Sequence, residues 1–77
     1  MIKRIFETTL RAYRIRRPFK PFLVELMSGT MLEIGHPEGL ISQDGAAVYV
    51  APGGNITIFD APGVVRFSDR PARRASA

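Results

Sequence analysis

The hydrophobic period of this chain changes once, at Pro18–Pro21, and that change constrains its fold more than any other feature. Before it, Ile2, Ile5, Phe6, Thr9, Leu10 and Tyr13 recur at three- and four-residue spacing, the apolar stripe of an amphipathic helix. Pro18 cannot continue a helix and biases Arg17 toward extended backbone, so the helix is expected over about residues 2–16. After it the period becomes two. Phe22, Val24 and Leu26 point one way, and Leu23, Glu25 and Met27 the other. Ser28-Gly29 is a two-residue turn in which glycine supplies the positive φ, and Thr30 to Gly35 follows as a second strand. His36-Pro37-Glu38-Gly39 interrupts the ladder, because proline donates no backbone hydrogen bond. Leu40–Ser42 reads as a short extended piece ended by Asp44-Gly45. Ala46–Ala51 then alternates Val48 and Val50 against Ala47 and Tyr49. Pro52-Gly53-Gly54-Asn55 is a turn, Ile56–Asp60 alternates again, Ala61-Pro62-Gly63 is a tight connection, and Val64–Phe67 is a last strand.

One helix followed by about five short strands on tight turns predicts a mainly β fold. The expected form is a small, strongly bent five-stranded antiparallel barrel with the N-terminal helix over one opening. Residues 1–68 are expected to form this single domain, and 69–77 a flexible basic tail. With 77 residues the core is thin, and with no cysteine no disulfide can brace it, so a homo-oligomer, a ring among the options, is the expected way to hold it. One histidine without cysteine argues against a metal site within one chain, and no cofactor is expected. No run of 18 uncharged apolar residues exists, so no transmembrane segment is expected. The Arg-rich, acid-poor start has a transit-peptide composition but lacks the apolar run of a signal peptide. It reads as part of the fold of a cytoplasmic protein.

The net charge of +4 is unevenly spread. Residues 1–20 hold seven Lys/Arg and one Glu, residues 21–65 hold five acids and no Lys or Arg, and residues 66–77 hold four Arg and one Asp. An acidic centre flanked by basic ends is a segregated field.

The run Pro18-Phe19-Lys20-Pro21-Phe22, with Val24-Glu25-Leu26, Ser28-Gly29 and His36-Pro37-Glu38, resembles a set of short bacterial proteins without assigned function, over roughly residues 10–68. That resemblance carries no activity. A second is architectural. A helix, then Leu26-x-x-Gly29 between two strands, then three further strands with a very short last connection, is similar to the Sm-like fold. That family includes the bacterial Sm-like RNA chaperone, and the resemblance implies rings closed by pairing the fourth strand of one subunit with the fifth of the next. The pairing edges would be Ile56–Phe59 and Val64–Phe67, with Ile56, Ile58, Phe59, Val64, Val65 and Phe67 as the edge residues. The family's base-reading residues are not matched. His36-Pro37-Glu38-Gly39 stands where an Asp or Asn reads uridine, and Asp60-Ala61-Pro62-Gly63 where Arg-Gly or Lys-His is found.

The leading functional candidate is the basic segment Arg11–Lys20. Arg11, Arg14, Arg16, Arg17 and Lys20, with Tyr13 and Phe19 interleaved, offer phosphate neutralisation and stacking surfaces together, as binding of RNA (or DNA) requires. Cations in the last helical turn also complement the helix dipole, which accounts for Arg14 and Arg16 but not for Lys3 and Arg4 at the opposite end. The alternatives are a solvated or inter-subunit face, an anionic membrane surface, and a self-assembling module docking acidic protein partners. Arg70, Arg73 and Arg74 form a second basic element on the tail. Arg73-Arg74-Ala75-Ser76 fits a basophilic-kinase pattern, and Asn55-Ile56-Thr57 a glycosylation sequon that reads more simply as a turn asparagine.

No catalytic constellation is legible, and the chain is not expected to be an enzyme. His36 has no nucleophile or orienting carboxylate at a recognisable spacing, and reads as a residue that satisfies a backbone group in its turn. In a ring, copies of His36 and Glu38 would approach one another as an inter-subunit ion or ligand site. Glu25 and Glu33 flank the Ser28-Gly29 turn without a cleft and read as surface. Gly53-Gly54 is followed by a strand rather than by the helix N-terminus a phosphate loop needs.

Overall fold

A computed structural model describes residues 1–70; the rest of the expected basic tail, with Arg73 and Arg74, lies outside the described residues. Helix α1 spans Lys3–Arg14 and is followed by strands β1 (Phe22–Leu26), β2 (Met31–Ile34), β3 (Leu40–Gln43), β4 (Ala46–Val50), β5 (Ile56–Asp60) and β6 (Val64–Asp69). Single turns of 3₁₀ helix, Pro37–Gly39 and Ala61–Gly63, precede β3 and β6.

The strands form two three-stranded antiparallel sheets rather than one closed barrel. Sheet A has the order β2-β1-β6 and sheet B the order β3-β4-β5. The expected five-stranded barrel is therefore corrected in two respects. The short piece after His36 is a full strand, so there are six among the described residues, and the ladder is not continuous. The reason lies at the seams. A closed barrel needs one strand to bend from one sheet into the other, but Pro37 donates no hydrogen bond and the 3₁₀ turn it opens divides that strand into β2 and β3. At the second seam, Ala61–Gly63 turns the chain from β5 to β6. Asp60 accepts the Gly63 N–H at 3.1 Å, and β6 goes on to pair with β1 rather than β5.

Turn chemistry sets the hairpins. Leu26 and Thr30 close the β1–β2 turn, with Gly29 at φ 92°. Asp44 and Gly45, at φ 55° and 85°, make the two-residue connection from β3 to β4, the pair of left-handed residues a type I′ turn requires.

Both sheets turn one face to a single core, and α1 supplies the ring that joins them. Phe6, fully buried, meets Phe59 of β5 edge-to-face at 6.1 Å and Phe67 of β6 at 5.9 Å. Leu10, Phe22, Val24, Ile34, Leu40, Ala47, Tyr49, Phe59, Ala61 and Val64 complete the buried set. A second tie is polar. The Tyr49 hydroxyl on β4 accepts the Gly35 N–H at 3.0 Å, linking sheet B to the end of β2. Of the helical stripe, Phe6 and Leu10 are buried, while Ile2 and Ile5 are left exposed at the helix start.

Candidate nucleic-acid interface

The seven residues expected to form a basic, aromatic-interleaved surface divide into two groups. Tyr13 lies 4.9 Å from Phe22 and 5.9 Å from Phe67, ring centre to ring centre, and Phe19 lies 6.1 Å from Phe22. Both rings are half-buried and pack against the core. Arg16 is held by its neighbours: Nη1 donates to Asp69 Oδ1 at 2.6 Å, Nη2 donates to the Lys20 carbonyl at 3.0 Å, and the guanidinium carbon lies 4.7 Å over the Tyr13 ring. It clamps the segment after the helix onto β6. Arg11, Arg14, Arg17 and Lys20 form the second group and are exposed. Arg14 reaches the Leu40 carbonyl on the rim of β3 only at 3.5 Å, long for a hydrogen bond.

The charges separated in the sequence meet in the fold. Lys3 pairs with Asp44, Arg66 with Glu25 at 2.8 Å, and Arg70 with Glu33 at 2.6 Å, so cations from both ends neutralise three acids of the centre. In the exposed Lys3–Asp44 pair the hydrogen bond, then the opposite charge, holds the Asp44 carboxyl below the usual aspartate range and raises Lys3 above the usual lysine value. Among the described residues, Arg4, Arg11, Arg14, Arg17 and Lys20 have no ion pair. All five lie on α1 or in the segment that leads from it to β1. The net positive charge of residues 1–70 is thus concentrated on this one flank.

Two shallow concavities mark the flank. One, of about 430 Å³, opens between α1 and the edge of β3 and takes in Arg11 and Arg14 together with Glu7, Asp44, Ser42 and Gln43. The other, of about 380 Å³, lies between the post-helix segment and the Pro37–Gly39 turn and takes in Arg14, Arg17 and Glu38. Arg14 and Ile15 belong to both, so they adjoin as one furrow in which Arg11, Arg14, Arg16 and Arg17 stand beside Glu7, Glu38 and Asp44.

The six edge residues also divide. β5 and β6 are both outer strands of their sheets. Ile56, Ile58 and Val65 are exposed, Phe67 is half-buried, and Phe59 and Val64 point into the core. Hydrogen bonds from Ala51 N–H to the Asn55 carbonyl and from Ala61 N–H to the Gly45 carbonyl, both 2.8 Å, fix the phase of the β4–β5 ladder. Thr57 and Phe59 then bond to β4, and the backbone groups of Ile56 and Ile58 face the open edge.

His36 lies 5.6 Å from the Tyr49 ring, with Nδ1 3.5 Å from Glu38 Oε1. Its Nε2 is buried without a hydrogen-bond partner, so it does not satisfy a backbone group through that nitrogen. His36 sits against Gly39, where a Cβ would collide with the Val50 carbonyl and come 2.9 Å from His36 Cε1; the glycine is there for close approach. No group of three or more potential metal ligands occurs among the described residues. No helix among them is long and apolar enough to cross a membrane.

One feature escaped sequence reasoning. The outer face of sheet B is aliphatic, with Ile41, Val48 and Ile58 in one row and Val50 beside Ile56 in the next. Its signal was present in runs such as Ala46–Val50, in which both alternating sets are apolar. No protein-family model matches the chain, and neither a curated protein nor a solved structure does.

Proposed function

We propose that this chain is a cytoplasmic, Sm-like nucleic-acid-binding protein, with RNA as the preferred polymer, and that it assembles through the open edges of β5 and β6. Its role is binding rather than catalysis, without a cofactor. The observation that carries this reading is the distribution of unpaired charge: Arg4, Arg11, Arg14, Arg17 and Lys20 stand together on one flank, while Lys3, Arg16, Arg66 and Arg70 are neutralised within the chain. Unpaired, exposed guanidinium groups exchange condensed counterions for phosphates, the sequence-independent part of nucleic-acid affinity. The packed positions of Tyr13 and Phe19 favour a supporting role, holding the basic segment in place, over base stacking. The Sm-like part of the reading is supported by the short Ala61–Gly63 connection between β5 and β6 and by the outer position of both strands.

The test is the salt dependence of binding to an unstructured RNA and to a DNA of the same sequence. Each phosphate contact contributes roughly −0.7 to −0.9 to the slope of log K against log salt. Wild type should show a steep slope, and the triple reversal R11E/R14E/R17E should flatten it and weaken binding at every salt concentration. Absence of binding to either polymer at low salt overturns the proposal. A protein that is oligomeric by light scattering yet free of nucleic acid by its absorbance ratio would favour an assembly module for acidic protein partners.

A further inference from the structure

The outer face of sheet B has no partner among the described residues, and its composition states what can cover it. The β3–β4–β5 register sets Ile41, Val48 and Ile58 side by side and Val50 beside Ile56. Ile41 and Ile56 are each 65% exposed and Ile58 72%. A contiguous aliphatic patch on the outer face of a sheet is a candidate interaction surface. We propose that a second copy of this chain docks here, sheet B stacking face to face on sheet B across a two-fold axis.

Two observations select that occupant. First, the patch carries no charged side chain, and it faces away from the basic flank. Ala47 and Phe59 point inward, where Phe59 meets Phe6 of α1, so Val48 and Ile58 beside them point outward. Two copies can therefore meet here with their unpaired cations on the far sides, whereas an acidic or basic partner finds no charge to pair with. Second, the ends of the face differ. Asp60 stands opposite Ala46 at one end, and the uncharged turn Pro52–Asn55 lies at the other. Antiparallel stacking lays the Asp60 end of one copy over the uncharged turn of the other, while parallel stacking sets Asp60 against Asp60. A two-fold axis across the strands thus gives a self-complementary, isologous contact. Aligned sheets stacked ~10 Å apart would interleave these side chains as in a β-sandwich. This contact is separate from strand-edge assembly, and where edges also pair it doubles the edge-built particle.

The experiment is light scattering on the full-length chain over a concentration series, in about 1 M salt so that nucleic acid does not bridge copies. Ile41→Lys, Ile58→Lys and wild type are compared, with circular dichroism confirming that each variant is folded. Ile41 decides the matter because it lies on β3, the outer strand of sheet B farthest from β5, where pairing through the β5 edge does not touch it. The wild-type mass is expected to rise with concentration to about twice that of either variant. A wild-type mass that Ile41→Lys leaves unchanged, or a wild type no heavier than the variants at the highest concentration, overturns the proposal. Should Ile58→Lys fail to fold, Ile41→Lys alone decides.

Discussion

On sheet A, the outward side of central strand β1 carries Glu25, paired with Arg66 across the ladder to β6, and Leu23, set between Glu33 and Ser68. On sheet B, central strand β4 carries Val48 between Ile41 and Ile58. The two sheets share three-stranded antiparallel order and one core, yet one outer face is laced with ions and the other is aliphatic. Exposed ion pairs contribute little to stability, about 0–1 kcal/mol each. The charges of sheet A therefore mainly keep that face hydrated. Sheet B has no such device on the middle of its outer face. Two sheets that share one core thus differ in the chemistry of their exteriors.

The largest expected effect comes from cutting the link that makes the two sheets one unit. Phe6→Ala removes the ring that touches Phe59 in sheet B and Phe67 in sheet A, and should cost about 3–5 kcal/mol in denaturant unfolding. A single transition at lower midpoint is expected, and two separated transitions would mean that the sheets are stable independently. Tyr49→Phe tests the polar link. It leaves the Gly35 N–H without its acceptor and should cost about 1 kcal/mol by the same measurement, while the ring keeps its place. The smallest effect belongs to the exteriors. Glu25→Gln breaks the pair with Arg66 and should change stability by at most about 1 kcal/mol, a difference that shrinks as salt is added. A larger, salt-independent loss would show that the charged face of sheet A is structural after all.

Much of the secondary structure was legible from residue order. The stripe ending at Tyr13, the alternating runs, Gly29 and Asp44-Gly45 each act within a few residues, so local chemistry suffices to place them. The candidate site was legible only in part. Five basic residues within ten positions look alike as letters. Arg16 is nevertheless consumed by Asp69, which is distant in sequence, and Tyr13 and Phe19 are drawn onto Phe22 and Phe67. The uneven charge was legible as well, but its partial cancellation by Lys3–Asp44, Glu25–Arg66 and Glu33–Arg70 was not, because those pairs join segments remote along the chain.

By itself, then, the order of residues determined the kinds of element, their turns and where the period switches. Those depend on backbone dihedrals and neighbouring side chains. Only the tertiary structure decided which side of each strand lies inside. β4 shows why: its valines face solvent while Ala47 and Tyr49 are buried. Hydrophobicity alone would turn Val48 and Val50 inward. The interior requires a small residue opposite Phe59, which Ala47 provides, and a hydroxyl within reach of Gly35, which Tyr49 provides. A period of two defines two faces, and complementarity of volume and hydrogen bonding across the core chooses between them.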